Sequence, residues 1–508
     1  MRPHISWDMY KGKKSTKSFN QERRPLMKDT ELSLLNARKE FDGLLELIET
    51  AIWQGQELHK VEGHLFRALL RLGWHLLCYF LARKGLGDCG TTLLHDGQIL
   101  VRGEVEERPY RSIFGDLTIS RYVYGEGQHR QAPLDAQLNL PEWKYSYLLQ
   151  DWGLSFASQE AFGEVQKILD KLLGTDLSVY SQERLSRKVS LGVSPFRQEQ
   201  AMPQDEEEGA ILVAAVDCKG VPLTRKKVDG QSVSHRRKKG EKANKKKMAC
   251  VSAVYTIDPF VRSVEDILDE VVRKERRAER PVPQNKRVRA DLVDDKEATF
   301  IDLAHQIQKR QTQIQKPVIF LSDGERRLRK LQEKHLPQAV SILDLWHVME
   351  YLWKAAHVFH KEGSQQAEDF VTHRLEMLLN GKVTYVRAGL KQMMTKHRLK
   401  AKKKKTLQSV LTYFGNNHPY MHYDIYIAKG YAIGSGVAEG TCRHLVKDRL
   451  ERTGMRWTVE GAQAILDLRS AYLNDEWDDL WVHYTDAERK RLYGNLNFEN
   501  SQTYTAIA

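Results

Sequence analysis

The sequence predicts an α/β protein: a mixed sheet with helices packed on it, preceded by a mainly helical region that contains one β-hairpin. Three observations predict it. Four apolar runs, Ile211–Val216, Met248–Ile257, Pro317–Leu321 and Ala339–Leu343, are each about as long as a strand. The first two are joined directly through a basic loop, and the later ones by segments of helical period, which suits a mixed sheet flanked by helices. Most of the remaining chain also has helical period.

The elements follow in order. Residues 1–30 are polar and basic, the composition of a flexible terminus, with no apolar h-region of a secretory signal. From Thr30 to Lys84 the pattern is helical. Leu65, Leu69, Leu72, Leu76 and Phe80 recur on one helix face and are predicted to form a core stripe. Arg108–Tyr124 changes to period two, with Leu117, Ile119 and Val123 alternating with polar residues and a turn at Phe114-Gly115-Asp116. This hairpin and the helices before it make an N-terminal domain, 31–144. In 145–195, an apolar helix ends at Gly174, and Ser178 then caps a basic helix with Arg184, Arg187 and Lys188. That pattern fits a helix-turn-helix and equally an ordinary αα-hairpin. Residues 196–209, with Pro203 and the acidic run Asp205–Glu208, read as a linker.

The sheet-bearing region spans 210–345, with helices expected near Ser263–Glu279, Asp295–Gln311 and Glu325–His335. Residues 346–430 are helical throughout, 431–475 hold the last helices, and 476–508 form a Trp- and Asp-rich tail.

At 508 residues the chain has room for two to four domains. Lys and Arg number 80 against 67 Asp and Glu, a balance that favours a polyanionic partner such as nucleic acid. Five cysteines without a CxxC pair argue against a disulfide scaffold or zinc ribbon and for a reducing, cytoplasmic setting. No uninterrupted apolar run is long enough to span a bilayer, so no membrane partner is expected.

Two apolar runs end in a carboxylate, Asp217 and Asp323, and a third closes with Asp344. Each Asp alone reads as a cap or turn residue. As a set they place acids at strand ends, where α/β sheets form ligand sites. Glu439 lies in the first turn of a later helix that opens at Gly434-Ser-Gly436, with Arg443 and Lys447 at the next turns of that face. Such a group suits phosphoryl transfer on nucleic acid: hard oxygen ligands favour Mg²⁺ or Mn²⁺, and two ions can serve one in-line displacement. Cations to hold phosphates are at hand in the loop Arg225–Lys247, including Arg236, Arg237, Lys238 and Lys239, and in Lys402, Lys403 and Lys404.

These residues carry a resemblance. Val213-Ala-Ala-Val-Asp217-Cys-Lys-Gly-Val-Pro222, Phe320-Leu-Ser-Asp323-Gly-Glu-Arg-Arg, Ile342-Leu-Asp344-Leu-Trp-His347-Val-Met-Glu350 and Gly434-Ser-Gly-Val-Ala-Glu439 through Arg449 resemble segments of the DDE transposases of bacterial insertion sequences. The similarity is to the ISKra group, related to the Mutator-like transposases. It extends through Thr453–Trp457 and, upstream, to Phe114-Gly-Asp-Leu, Pro133-Leu-Asp135 and Leu140-Pro141, covering roughly 108–475.

The resemblance implies a ribonuclease-H-like catalytic core with an all-helical insertion between the second Asp and the Glu. It implies catalytic, metal-holding roles for Asp217, Asp323 and Glu439, with two Mg²⁺ or Mn²⁺ ions per site. Asp344 and His347 match a signature that follows the second Asp. They join the catalytic set either as a cap that orients His347 or as a structural pair. The expected partners are double-stranded DNA, at element ends and target, and further copies of the chain in the synapsed state. The expected setting is the bacterial cytoplasm, at the nucleoid. Arg443 and Lys447 are candidates for phosphate contacts or solvated surface. Trp346 and Trp457 are candidates for stacking on an extruded base or for core packing. Cysteine pairs that many relatives carry after the hairpin are missing from Tyr124–Gln131, so no zinc module is expected.

If the basic segments neutralise phosphates, log Kd for duplex DNA should rise linearly with log salt, by about 0.9 for each phosphate contacted. Filter binding between roughly 50 and 200 mM salt measures that slope, and a flat response removes the basic segments from the interface.

Overall fold

A computed structural model describes residues 30–127, 129–224, 227–228, 231–232, 246–273, 279–311, 315–434, 436–452 and 454–494. These form two compact units: 30–152, 166–177 and 485–494 in the first, and 153–165 and 178–484 in the second.

In the first unit, helices α1 (Thr30–Trp53) and α2 (Leu58–Lys84) pack side by side. A three-stranded antiparallel sheet follows: β1 (Thr92–His95), β2 (Gln98–Ser112) and β3 (Gly115–Tyr124). The β2–β3 hairpin is the one expected, but its turn is Ile113-Phe114, one step earlier. Ser112 already pairs with Gly115, whose φ of 125° suits glycine. Phe114 then sits so close to α2 that a Cβ on Gly73 would lie 2.5 Å from its ring.

The stripe predicted as core on α2 is mostly not core. Leu69, Leu76 and Phe80 are exposed, while Ala68, Trp74, Cys78 and Leu81 are buried. Periodicity found an apolar face, but the hairpin packs on the adjacent one, where Trp74 Nε1 donates to the Asp116 carbonyl. By length and composition, α2 is also the one helix among the described residues able to cross a membrane.

Buried ionic contacts tie the first unit together. Arg108 and Arg121 both donate to Asp135, at 2.6 and 2.9 Å, and Asp135 is 6% exposed.

The second unit is built on a five-stranded mixed sheet: β4 (Ile211–Pro222), β5 (Lys246–Ile257), β6 (Gln284–Asp291), β7 (Val318–Ser322) and β8 (Val340–Leu343), with a short helix, α3 (Val264–Leu268), between β5 and β6. Its strand order is β8-β7-β4-β5-β6. β5 runs antiparallel to both neighbours, and β4, β7 and β8 are parallel. Residue parity along β4 and β7 divides the sheet's faces. Leu212, Ala214, Val216 and Phe320 meet Phe300, Leu303 and Leu328 on helices α4 (Lys296–Lys309) and α5 (Arg326–His335). Val213, Ala215, Ile319 and Leu321 share a core with the helices that follow β8. These are α6 (Leu345–Phe359), α7 (Gln365–Leu379), α8 (Val383–Lys396) and α9 (Ala401–Asn417). At the β5–β6 side, Val251, Ala253, Val288 and Ala290 pack with Leu445, Val446, Ile465 and Leu466.

Several sequence readings need correction. β6 was missed because its sequence, Gln-Asn-Lys-Arg-Val-Arg-Ala-Asp, has no apolar run; as an edge strand it buries little beyond Val288 and Ala290. β4 does not end at Asp217 but runs to Pro222, because β5 still pairs with it after β7 has stopped. The acidic run in 196–209 is fastened rather than free: Glu208 pairs with buried Arg310, and Lys316 Nζ reaches Asp205 at 2.6 Å. The tail opens with a helix, Trp477–Tyr493. Of the helix expected at Ser263–Glu279, Val264–Leu268 is α-helical behind a Ser263–Asp266 capping box and leads into a π-turn, Asp269–Arg273. The basic helix Val179–Ser190 is capped by Ser178 as expected, but buries Gln182, Leu185, Ser186 and Val189 and packs on helix Val459–Leu473.

Asp135→Ala should cost about 3–5 kcal/mol, since it strands two partly buried guanidiniums. Chemical denaturation followed by circular dichroism measures it, and an unmoved midpoint would show that the pair contributes nothing.

Candidate active site

The parallel register sets the site. Ala215 pairs with Leu321, and Leu343 with Ser322. Continued by one or two residues, this register brings Asp217, inside β4 just past its pairing with β7, level with Asp323 and Asp344, which follow the ends of β7 and β8. Asp217 and Asp323 also keep the parity of Ala215 and Leu321, so both belong to the face covered by the later helices.

Each acid is held differently. Asp217 accepts a hydrogen bond from the Cys218 backbone N–H at 2.6 Å. Asp323 accepts one from Glu325 N at 2.8 Å, and the Tyr413 hydroxyl of α9 donates to its carbonyl at 2.8 Å. Gly324, at φ 87°, makes the turn after it; a Cβ there would lie 2.8 Å from Asn417 and Leu343. Asp344 is fully buried and caps α6, accepting from His347 N at 3.4 Å and facing His347 Nδ1 at 2.6 Å. It thus acts as both a cap and an orienting group for the imidazole.

Glu439 arrives from far along the chain. Leu345 N donates to Ile433 O at 2.9 Å, which docks the returning strand of chain beside the start of α6. Gly434 fits there because it has no side chain: a Cβ would stand 3.1 Å from Trp346 Nε1. The helix α10 (Gly436–Thr441) then carries Glu439 to the cluster. Ligand atoms of Asp344, His347 and Glu439 all lie within 4.8 Å of one another. α10 passes into a π-helical turn, Cys442–Lys447, which buries Cys442, Leu445 and Val446 and sets the Cys442 thiol against Asp217.

The electrostatics report one crowded site. Burial pushes the Asp323 carboxyl above its ordinary range, with the Asp217 charge adding to it and His347 opposing it. Glu439 is raised by partial burial and then by Asp344, again with His347 opposing. The Asp344 hydrogen bond holds the His347 imidazole protonated up to about 9. Asp344–His347 is therefore a buried carboxylate with an imidazolium set among acids.

The structure couples Asp217 by charge to both Asp323 and Glu439, but among the described residues Asp217, Asp323 and Glu439 do not form a set with ligand atoms within 4.8 Å of one another. Its tightest group contains Glu439 with Asp344 and His347. Arg443 and Lys447 are exposed beyond Glu439, but the π-turn takes them off the regular face that a period of 3.6 implies, and Arg443 leans to Asp448 at 3.8 Å. Lys402, Lys403 and Lys404 lie exposed in the first turn of α9, with Lys403 Nζ bonded to Val358 O at 2.6 Å. Trp346 is half-buried. Trp457 is 8% exposed, packed against Phe162, with its N–H donated to Leu450 O, so it is a wall residue rather than a free platform for a base. Arg236, Arg237, Lys238 and Lys239 lie outside the described residues.

Two supports of the site escaped the sequence reading. Tyr413 and Cys442 meet the acids only through tertiary packing; Tyr413 stands in no motif, and Cys442, though inside the Gly434–Arg449 segment, carries no signal there of contact with Asp217. No protein-family model matches the chain, and no curated protein sequence is significantly similar to it.

In protein without added divalent ion, His347 should titrate near 9 rather than near its ordinary value of about 6.5. A raised histidine pKa stabilises the fold fully below about 6.5, and that stability is lost as pH rises through 9. Asp344→Asn should move the midpoint down. Carbon-13 NMR of labelled histidines reads it, and a wild-type midpoint near 6.5 would contradict the pairing.

Proposed function

We propose that the protein is a DNA transposase of the DDE class, which cuts DNA at the ends of an insertion sequence and joins the freed 3′-hydroxyl to target DNA. One observation carries the reading: Asp217, from the first strand of the sheet, is coupled by charge both to Asp323, after the fourth, and to Glu439, from a late helix. The sheet, with its antiparallel second strand, supports a ribonuclease-H-like core. The helices between Asp344 and Glu439 correspond to a helical insertion in that core.

Asp217, Asp323 and Glu439 fit Mg²⁺ or Mn²⁺. They are hard oxygen donors, and Asp323 and Glu439 are raised first by burial and then by neighbouring carboxylates, a cost that a divalent cation would relieve. Two bound ions would supply Lewis acidity at the attacking and leaving oxygens of an in-line displacement. The protein's own groups do the rest. His347 Nδ1 is committed to Asp344, so Nε2 is the atom left to donate to a phosphate oxygen. Arg443, Lys447 and the lysines 402–404 offer exposed cations to the DNA backbone. The exposed apolar residues of α1 and α2, among them Trp53, Phe66, Leu69 and Phe80, offer a surface for a second copy in a synaptic assembly. Action on bacterial DNA places the protein in the cytoplasm, at the nucleoid.

A hydrolytic nuclease is the second reading, favoured by the compactness of the Asp344–His347–Glu439 group, which by itself resembles a single-metal centre.

With Mg²⁺ and a pre-cut duplex bearing the element's terminal repeats, the protein should join the 3′ end to target DNA. Asp217→Ala, Asp323→Ala and Glu439→Ala should each reduce joining by about a hundredfold or more. Gel analysis of products decides: nicked but never joined DNA selects the nuclease, and binding without any cutting or joining leaves a DNA-binding protein on this scaffold.

A further inference from the structure

The helices that cover the sheet carry charge of one sign. From Gly381 to His422, across α8 and α9, the chain has ten lysines and arginines and no aspartate or glutamate. A helix pair that faces only solvent ordinarily mixes both signs. Here Lys391, Lys396, Lys400 and the run Lys402 to Lys405 are all exposed.

This surface is also shaped. A groove of about 640 Å³ runs between the two helices, lined by Arg387 and Lys391 from α8 and by Gln408, Thr412 and Asn416 from α9. Gly415 lets Arg387 lie against α9, since a Cβ there would stand 2.9 Å from its Nη2. The Arg387 Nε is buried without a hydrogen-bond partner, which is costly unless an acceptor arrives. A second groove, of about 490 Å³, shares Gln408, Thr412 and Asn416 with the first and adds Lys405, Ser409 and Tyr413. Among the described residues, no carboxylate lines either groove.

The second groove reaches the acids. Tyr413, in its wall, is the residue whose hydroxyl donates to the Asp323 carbonyl at 2.8 Å. Lys405, Ser409, Thr412 and Asn416 follow one another at steps of three and four residues, so they share one exposed face of α9. Cations, hydroxyls and amides set in a line are the groups that hold a phosphodiester backbone without reading its sequence.

We propose that the joined grooves of α8 and α9 are the track of the DNA beside the cut, with Arg387, Lys391 and Lys405 holding its phosphates and the face of α9 leading it to Asp323. The helix sets a spacing. Lys402 to Lys405 lie about 12–16 Å along α9 from Tyr413, at about 1.5 Å per residue. That length is about four or five base pairs of duplex, at about 3.4 Å each. The end of the track at a cutting site rests on the transposase reading, but the affinity of the grooves for a duplex does not.

The test titrates the full-length protein into a fluorescein-labelled, mixed-sequence duplex and reads anisotropy between roughly 50 and 200 mM salt. K391A/K405A, with both changes at exposed positions, should weaken binding about tenfold and lower the slope of log Kd against log salt by about 1.8, with an unchanged circular dichroism spectrum. K286A, at an exposed position on the edge strand β6, should alter neither affinity nor slope. A double variant with wild-type affinity and slope overturns the track, and so does an equal loss from K286A. In a second arm, the pre-cut duplex carries uncharged methylphosphonate linkages about four or five base pairs from its 3′ end. These should weaken binding by the wild type but not by K402A/K405A. An equal penalty in both proteins overturns the course to Asp323. Joining at wild-type affinity by K391A/K405A defeats the track alone, and duplex binding through the grooves without joining defeats the transposase reading alone.

Discussion

Carboxylates brought close together repel, and this repulsion is the condition that the second unit is arranged around. The parallel register sets Asp217, inside β4, level with Asp323 and Asp344, which follow the ends of β7 and β8. Glu439 is then added from a helix. Burial first, and neighbouring carboxylates after it, raise the Asp323 and Glu439 carboxyls, so folding has to desolvate charge as well as crowd it. Compensation begins within the chain: Asp344 is spent on capping α6 and on His347, whose imidazolium opposes the acids on either side.

A site under this strain has to be held by packing that is indifferent to charge. The helices after β8 supply it. Their apolar faces cover one side of the sheet, and Tyr413 fastens the Asp323 carbonyl from α9. Asn417 closes on Gly324, where a side chain has no room. The chain then returns along Ile433 and Gly434 beside α6, so the same helical segment that covers the core also delivers Glu439. The π-turn after Glu439 lets one short stretch bury Cys442, Leu445 and Val446 while leaving Arg443 and Lys447 in solvent. Structure and site are therefore one object: the helices cannot shift without moving an acid.

Much of this was legible in the residues. Four of the five sheet strands were visible because strands covered on both faces must be apolar runs. Asp217, Asp323 and Asp344 stood out because an acid at the end of such a run needs a reason. The edge strand β6 was not legible, since one-sided burial at an edge asks for only two small apolar side chains among charges. The apolar stripe of α2 was read as core because periodicity shows that a face is apolar, not that anything lies on it. The acidic run at 205–208 read as a linker because Arg310 and Lys316, which hold it, are far away in sequence.

By itself, then, the sequence determined the α/β class, the hairpin, the long helical stretch and the acids that close apolar runs, Asp217, Asp323 and Asp344, because these follow from local period and from residues placed next to such runs. The tertiary structure alone decided which acids share a field, that Asp344 holds His347 charged, that Tyr413 and Cys442 support the cluster, and that Trp457 is a wall and not a platform. Those depend on register between strands and on helices meeting after long stretches of chain. Neither distance nor burial between remote residues is written in local pattern.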